Sequence, residues 1–355
     1  MAGKFSWTKF ANVDLSDEFF DSLKQDYQEF PEWFQKKITQ DEEALVFQDT
    51  NGIGAFIYLK AEEEPLELKD KIRPSARRIK IGTLKLSEKH RNQRLGEGAI
   101  GVALWKWQES LTDEIYVTVF KKHELLINLL ENFGFVCIGE NPRGELVYLK
   151  NKKNIDYSTP KKSFPFINPN FSSAGILPIE DQYHDKLLPY SELQGNNSDI
   201  EEITAGNGVT KIFVASPYSS FRYKVNEPLF IYRIHTGEGK RTFKSVVTSF
   251  GMVTKVKVIK DNKLTLVSLD DFLKLVGNKT VFTESELRSM HIQKNNLVIL
   301  EFVYNGYFGK GNNINHHTLS SNGLFNAHPY NVEYSIEQFK NILNLGKVNV
   351  NNVIV

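Results

Sequence analysis

The sequence is short of sulfur and of long apolar runs, and each shortage closes a class of answers. Cys137 is the single cysteine among 355 residues, so no disulfide forms within the chain and a cytoplasmic setting is expected. No apolar run approaches the roughly 20 residues that a membrane helix needs. Met1-Ala2-Gly3-Lys4 leads straight into polar sequence, so no signal peptide is expected either. With one cysteine, and with His316, His317 and His328 outside zinc-type spacing, no metal site is expected. No tryptophan follows Trp107, which rules out a tryptophan-built cage for a methylated base beyond that point.

What is present is a charge asymmetry hidden under a net charge of +1. Residues 1–68 hold 15 acidic and 6 basic side chains, residues 69–94 hold 2 and 10, and residues 211–347 hold 10 and 18. Two basic regions suggest an anionic ligand, an anionic macromolecule, or both. The length exceeds what one core usually organises. We therefore expect a first domain over 1–152, a proline-bearing linker or wrapping arm over 153–207, and a second domain over 208–347.

The first domain reads as α/β. Leu15 to Tyr27 has the pattern of a capped amphipathic helix that Pro31 interrupts or restarts, and residues 44–59 form a hairpin about Asn51-Gly52. A strand over Ile79–Leu86 is followed by a helix over 96–110, a strand over Glu114–Phe120, a helix over Lys122–Asn132, and strands over 133–138 and 145–150. The arm carries five prolines between Pro160 and Pro189, with apolar stretches at Phe164–Ile167 and Ile176–Ile179. The second domain is β-rich. Strands are expected at Ile212–Ala215, Pro228–Ile234, Val246–Val258, Leu264–Val267 and Leu297–Tyr304, with helices at Leu269–Val276, Thr283–Met290 and Ser335–Leu345.

The most informative stretch is Leu84-Lys85-Leu86-Ser87-Glu88-Lys89-His90-Arg91-Asn92-Gln93-Arg94-Leu95-Gly96-Glu97-Gly98. A strand ends, a basic loop follows, and glycines open an apolar helix, an arrangement in which helix-start amides and the helix dipole bind phosphate. These residues resemble the GCN5-related N-acetyltransferase (GNAT) family, whose signature is Arg or Gln, two residues, Gly, one residue, and Gly or Ala. Two registers fit. One starts at Gln93 and matches both glycines; the other starts at Arg91, keeps the usual step from Leu86, and puts Arg94 where the first glycine normally sits. The likeness continues through Glu114–Val119, Leu125–Phe135 and Gly144–Lys150, and covers roughly residues 5–150.

By that resemblance the fold is a GNAT α/β fold with a mixed central sheet, and the cosubstrate is acetyl-CoA. Its pantetheine would pair near Leu84, Lys85 and Leu86, and its pyrophosphate would meet Arg91, Gln93, Arg94, Leu95, Gly96, Glu97 and Gly98. Where the family often has a tyrosine acid, this chain has Leu130; where it often has asparagine, it has His123. Tyr116, Thr118 and His123 are the catalytic candidates.

Residues 208–345 loosely resemble PUA-like barrels of the ASCH and EVE type, on Phe230–Ile234, Phe250–Val256, Thr283–Leu287 and Asn296–Leu300. That resemblance implies RNA binding, with Arg222, Tyr232, Arg233, Lys240, Arg241 and Lys244 as candidate contacts. The leading expectation is an N-acetyltransferase acting on an amine, with an RNA-linked acceptor such as aminoacyl-tRNA apt because some relatives with this layout are toxins of charged tRNA. An antitoxin or a second copy is an expected partner, and a membrane is not. The alternatives are an acyl-CoA-sensing, RNA-binding module and an acetyltransferase of proteins or small amines.

Overall fold

The computed structural model describes residues 4–191, 204–217 and 221–355. The chain divides into two compact units, Met1–Ile155 and Asp156–Val355.

Unit 1 is built on a seven-stranded mixed sheet. In chain order its elements are β1 (Lys4–Lys9), α1 (Asp21–Asp26), α2 (Phe30–Thr39), β2 (Glu43–Asp49), β3 (Gly52–Glu62), the small hairpin β4 (Leu66–Glu67) and β5 (Ile72–Arg73), β6 (Arg78–Leu86), α3 (Leu95–Glu109), β7 (Glu114–Val119), α4 (Glu124–Asn132), β8 (Val136–Glu140) and β9 (Leu146–Asn151). The sheet order is β1-β2-β3-β6-β7-β9-β8, antiparallel except for the β6–β7 pair.

The expected single helix over residues 15–27 is two short pieces. Asp17 accepts a hydrogen bond from the Phe19 amide at 2.8 Å and starts a turn, and α1 follows. Pro31 sits in the first turn of α2, where a missing amide proton costs nothing. Their apolar sides pack Phe10, Phe20, Phe30 and Phe34 against Phe56 and Tyr58 of β3. Edge-to-face rings such as Phe10–Phe34, 4.8 Å apart, fill this core. Each buried phenylalanine contributes about 1.5–3 kcal/mol.

The two ends of β6 differ in charge chemistry. At its start the buried Arg78 donates to Glu114 of β7 at 2.6 Å, and Arg73 donates to the other carboxylate oxygen at 2.7 Å. Asn151 adds a third donor to Glu114 at 3.1 Å. Arg78 also donates to the carbonyls of Glu64 and Pro74. This buried ion pair ties β6, β7, β9 and the β4–β5 hairpin together, with only the Arg73 Nε in it buried and without a hydrogen-bond partner.

Unit 2 begins inside the stretch read as an arm. Its helices are α5 (Pro160–Ser163), α6 (Asp181–Leu187), α7 (Thr204–Asn207), α8 (Arg241–Lys244), α9 (Leu269–Val276), α10 (Glu284–Gln293), α11 (His316–Ser321) and α12 (Ile336–Leu345). Its strands are β10 (Gly175–Glu180), β11 (Thr210–Ala215), β12 (Pro228–Ile234), β13 (Val246–Asp261), β14 (Leu264–Thr265), β15 (Leu297–Tyr307) and β16 (Ile314–Asn315). The main path runs β10-β12-β13-β15-β11. The apolar run Ile176–Ile179 is a strand parallel to β12, which explains why it is buried. β10 and β11 end the path without pairing to each other among the described residues, so the closure expected of a barrel is not seen.

A chain of buried polar groups crosses unit 2. His184 is fully buried, with Nδ1 2.8 Å from Asp185 and Nε2 2.8 Å from the Thr248 hydroxyl. Arg233 donates twice to Asp185, at 2.8 Å each, and burial holds the His184 pKa below its ordinary value. Thr248, Ser249, Ser191 and Tyr304 continue the chain of hydroxyls.

Candidate functional site

β6 and β7 pair only over their first four residues, Arg78↔Glu114 to Ile81↔Val117. Beyond Ile81, β6 stays with β3 as far as Leu86↔Ala55, while β7 stays with β9 through Thr118↔Val147 and Val119↔Leu146. The strands therefore part, and among the described residues the edge of Gly82–Leu86 has no strand on the β7 side. The cause lies in β6: the register against β3 shifts between Tyr58 and Leu59, which face Thr83 and Ile81. Gly82 is the extra residue, and a bulge bends its strand. A Cβ on Gly82 would stand 3.2 Å from the Tyr58 ring, so a larger residue there would press on it. Glycine inside an alternating strand pattern is the sequence signal for such a bulge.

The loop after β6 is anchored from below. The Ser87 amide donates to the Gly54 carbonyl at 2.8 Å, and the buried His90 lies with Nε2 3.0 Å from Asp49. His90 and Leu95 close over Gly54, where a Cβ would stand 3.1 Å from one and 2.7 Å from the other. The chain then takes two left-handed residues, Asn92 at φ 66° and Arg94 at φ 59°. Arg94 occupies a conformation that a glycine adopts without strain. Its guanidinium is folded back on Glu97, at 2.6 Å.

α3 starts at Leu95, and the first amides of a helix have no intrahelical acceptor. Gly96 sets how close this start comes to the open edge. A Cβ there would stand 3.0 Å from the Leu86 side chain and 3.1 Å from that of Leu129 of α4, so a larger residue would press on both. An open strand edge, a left-handed turn and a helix start thus meet at one mouth. The Gln93 and Gly98 amides donate to the His90 and Arg94 carbonyls, so the arrangement can hold an extended chain along Leu84–Leu86 and an anionic group at the start of α3, about Leu95–Glu97.

The cofactor candidates named from sequence fall together here. Leu84 and Lys85 are half-buried, Leu86 is exposed at the mouth, and Leu95 and Gly98 are buried beneath the turn. Arg91 is exposed and pairs with Glu88 at 3.0 Å. Lys85 turns to the α1 side, where it donates to Ser22 and lies 5.1 Å from the Phe19 ring centre. Burial lowers its pKa below that of an ordinary lysine.

The catalytic candidates separate. Tyr116 lies opposite Lys80 in the part of the pair that stays closed, fully buried, with its hydroxyl donating to Glu62. Burial first, and then Glu62, push its pKa far above the ordinary phenol value. Thr118 is the first residue of its face beyond the last β6 partner and is half-buried. His123 is exposed at the start of α4, and its side chain caps nothing. Leu130 is fully buried, and its carbonyl accepts from the Phe133 and Phe135 amides. No sequence pattern points to Glu62 or Tyr148. Tyr148 donates to Glu131 at 2.9 Å on the opposite face, and burial and that carboxylate push its pKa up to about 12.

In unit 2 the nucleic-acid candidates divide. Tyr232 and Arg233 are buried, the latter on Asp185, and so serve the interior. Arg222, Lys240, Arg241 and Lys244 are all exposed. Among the described residues, no three His, Cys, Asp or Glu side chains gather as a metal site would require. No helix among them is long and apolar enough to cross a membrane.

No family model and no curated protein matches the chain. Solved structures similar to it cover its N-terminal two-fifths or so. An acetyltransferase of the GNAT family from Streptococcus agalactiae shares 15% identity over 39% of this chain and 82% of its own, with a TM-score of 0.31. NAA60 from Arabidopsis thaliana, in complex with a bisubstrate analogue, shares 16% over 42% and 98%, with a TM-score of 0.32. A mutant of the AtaT toxin, bound to the C-terminus of the antitoxin AtaR, shares 11% over 43% and 94%, with a TM-score of 0.31. At these identities and superpositions the likenesses fix neither family nor activity for this chain.

Proposed function

We propose that unit 1 is an acyltransferase of the GNAT type that moves an acetyl group from acetyl-CoA to an amine. The observation that carries this reading is the parting of β6 from β7 at Gly82, with the left-handed turn and the start of α3 at its mouth. The amide-and-carbonyl edge of Leu84–Leu86 suits the two amides of pantetheine, as an added strand would. The turn and the first amides of α3 suit the pyrophosphate.

In the reaction the amine nitrogen forms a bond to the thioester carbonyl carbon, the carbon–sulfur bond breaks, and the sulfur leaves as a thiolate that takes a proton. Holding the two reactants together supplies much of the rate. Thr118 is the polar side chain nearest the parting on the face shared with Tyr116, and it serves as a hydroxyl donor there. Tyr116 keeps its proton at neutral pH and orders that face through Glu62. Water takes the proton that the amine gives up.

The acceptor we favour is an RNA-linked amine such as an aminoacyl-tRNA, because unit 2 is basic over residues 211–347. An antitoxin or a second copy would be the natural protein partner. A second reading, an acyl-CoA sensor that binds RNA, is favoured by the buried Leu130 in place of an acid. Acetylation of proteins or small amines is the remaining alternative. Incubation with labelled acetyl-CoA, total RNA and protein extract separates them. Alkali-labile label in RNA supports the first, label in protein or small amines the last, and bound but untransferred acetyl-CoA the sensor.

A further inference from the structure

The loop from β12 to α8, His235-Thr236-Gly237-Glu238-Gly239-Lys240, runs into Arg241-Thr242-Phe243-Lys244. It is held rigidly. Asp181 of α6 accepts from the Thr236 amide at 3.0 Å and from its hydroxyl at 2.6 Å. His235 Nε2 and Lys244 Nζ converge on the Glu238 carbonyl, at 2.9 and 2.6 Å. Gly239, at φ 105°, leaves room for that lysine, because a Cβ would stand 2.8 Å from its nitrogen.

On this frame Lys240, Arg241 and Lys244 are all exposed, and among the described residues none of the three has a carboxylate within ion-pair distance. Exposed Lys257, Lys263, Lys274 and Lys294 also lack a carboxylate partner among the described residues, so what sets this loop apart is three such cations within five residues. Between the cations stands Phe243, 54% exposed, with its ring 5.3 Å from that of His317 on α11. Three cations thus flank one exposed aromatic face, the combination that a ligand with both phosphates and bases can use.

We propose that this loop, with His317, is a contact site for single-stranded RNA. A base stacks on Phe243 beside His317, and the flanking phosphates meet Lys240, Arg241 and Lys244. Charge selects a polyanion, and the exposed ring selects unpaired bases over an acidic peptide, which would leave the ring unused. The site is independent of the acyl-transfer reading.

Fluorescence anisotropy of the full chain with a labelled 12-nucleotide oligouridylate, titrated from 50 to 200 mM salt, tests it. The wild type should bind saturably, more tightly than it binds an RNA duplex of equal length. Phe243→Ala should weaken binding about tenfold, a stacking-sized loss, and leave the salt slope unchanged. Lys240→Gln, Arg241→Gln and Lys244→Gln together should flatten the slope by about 2, near 0.7 for each phosphate no longer neutralised. Unchanged melting temperatures would show that the variants fold. Absence of saturable binding at 50 mM salt, or binding that both variants leave intact, overturns the proposal. So does equal binding to phosphatidylserine vesicles that Phe243→Ala abolishes, which would make the loop a membrane contact.

Discussion

The two ends of β6 meet the same neighbour in different ways. At Arg78–Ile81 the strand is paired to β7, and a buried guanidinium and carboxylate bind the pair across the sheet. At Gly82–Leu86 the same strand has no partner on that side among the described residues, and a bulge, a left-handed turn and a helix start surround the gap. An unpaired backbone edge costs stability if buried without a partner. The ion network at one end therefore supports a fold in which the other end stays open. In this account stability resides at the closed end and ligand binding at the open end.

Breaking the closed end should have the largest effect. Glu114→Ala leaves Arg78 buried without its partner and should destabilise unit 1 by about 3–5 kcal/mol, read from denaturant unfolding. Glu114→Gln, which keeps two of the hydrogen bonds, should cost less.

The open end is probed by Gly96→Val. Forcing side-chain atoms between Leu86 and Leu129 costs about 1–3 kcal/mol by overpacking and moves the start of α3 off the mouth. Acetyl-CoA affinity by calorimetry should fall about tenfold or more, since 1.4 kcal/mol is a factor of about ten. Gly82→Val tests the bulge in the same way.

Thr118→Ala and Tyr116→Phe sharpen the assignment of roles along β7. Loss of the Thr118 hydroxyl should lower kcat roughly tenfold, at the low end for one electrostatic donor, with little change in KM for acetyl-CoA. Tyr116→Phe should act mainly on stability, because its hydroxyl is committed to Glu62 behind the parting.

The alkaline limb is smaller and has a definite sign. Tyr58 and Tyr148 both have pKa values pushed up to about 12, by burial first and then by Glu42 and Glu131. A phenol whose folded pKa is raised binds its proton more tightly in the folded state. Its contribution is fully present below the unfolded value of about 10 and is lost as pH rises from there to about 12. Unit 1 should therefore lose stability over that window, and the Tyr148→Phe variant should lose less.

Much of the mouth can be read from residues. The strand over Ile79–Leu86 and the helix opening at Gly96 follow from pattern and glycine placement, while the left-handed backbone at Arg94 carries no local signal. The parting of the strands is hidden, because it depends on one bulged glycine whose effect shows only against Tyr58. Tyr116 suits catalysis by residue type, but its hydroxyl faces Glu62, a residue 54 positions away. Arg233 looks like a phosphate contact for the same reason, and it is internal because Asp185, on a helix in the stretch read as an arm, accepts from its Nε and one Nη while Asp181 lies 3.8 Å from the other. Pairings across long sequence separations decide these positions, and no local pattern carries them. β1 is a different case: Phe5 and Trp7 alternate with Lys4, Ser6 and Thr8 as in a half-buried strand, so this strand is legible and is absent from the expected elements only because the run is short.

The most direct test of the central claim is amide hydrogen exchange on the full chain, with and without acetyl-CoA. The account predicts new protection at residues 82–86 and 95–97, with residues 78–81, already paired, unchanged. Protection confined to other segments, or no saturable binding of acetyl-CoA, would contradict it.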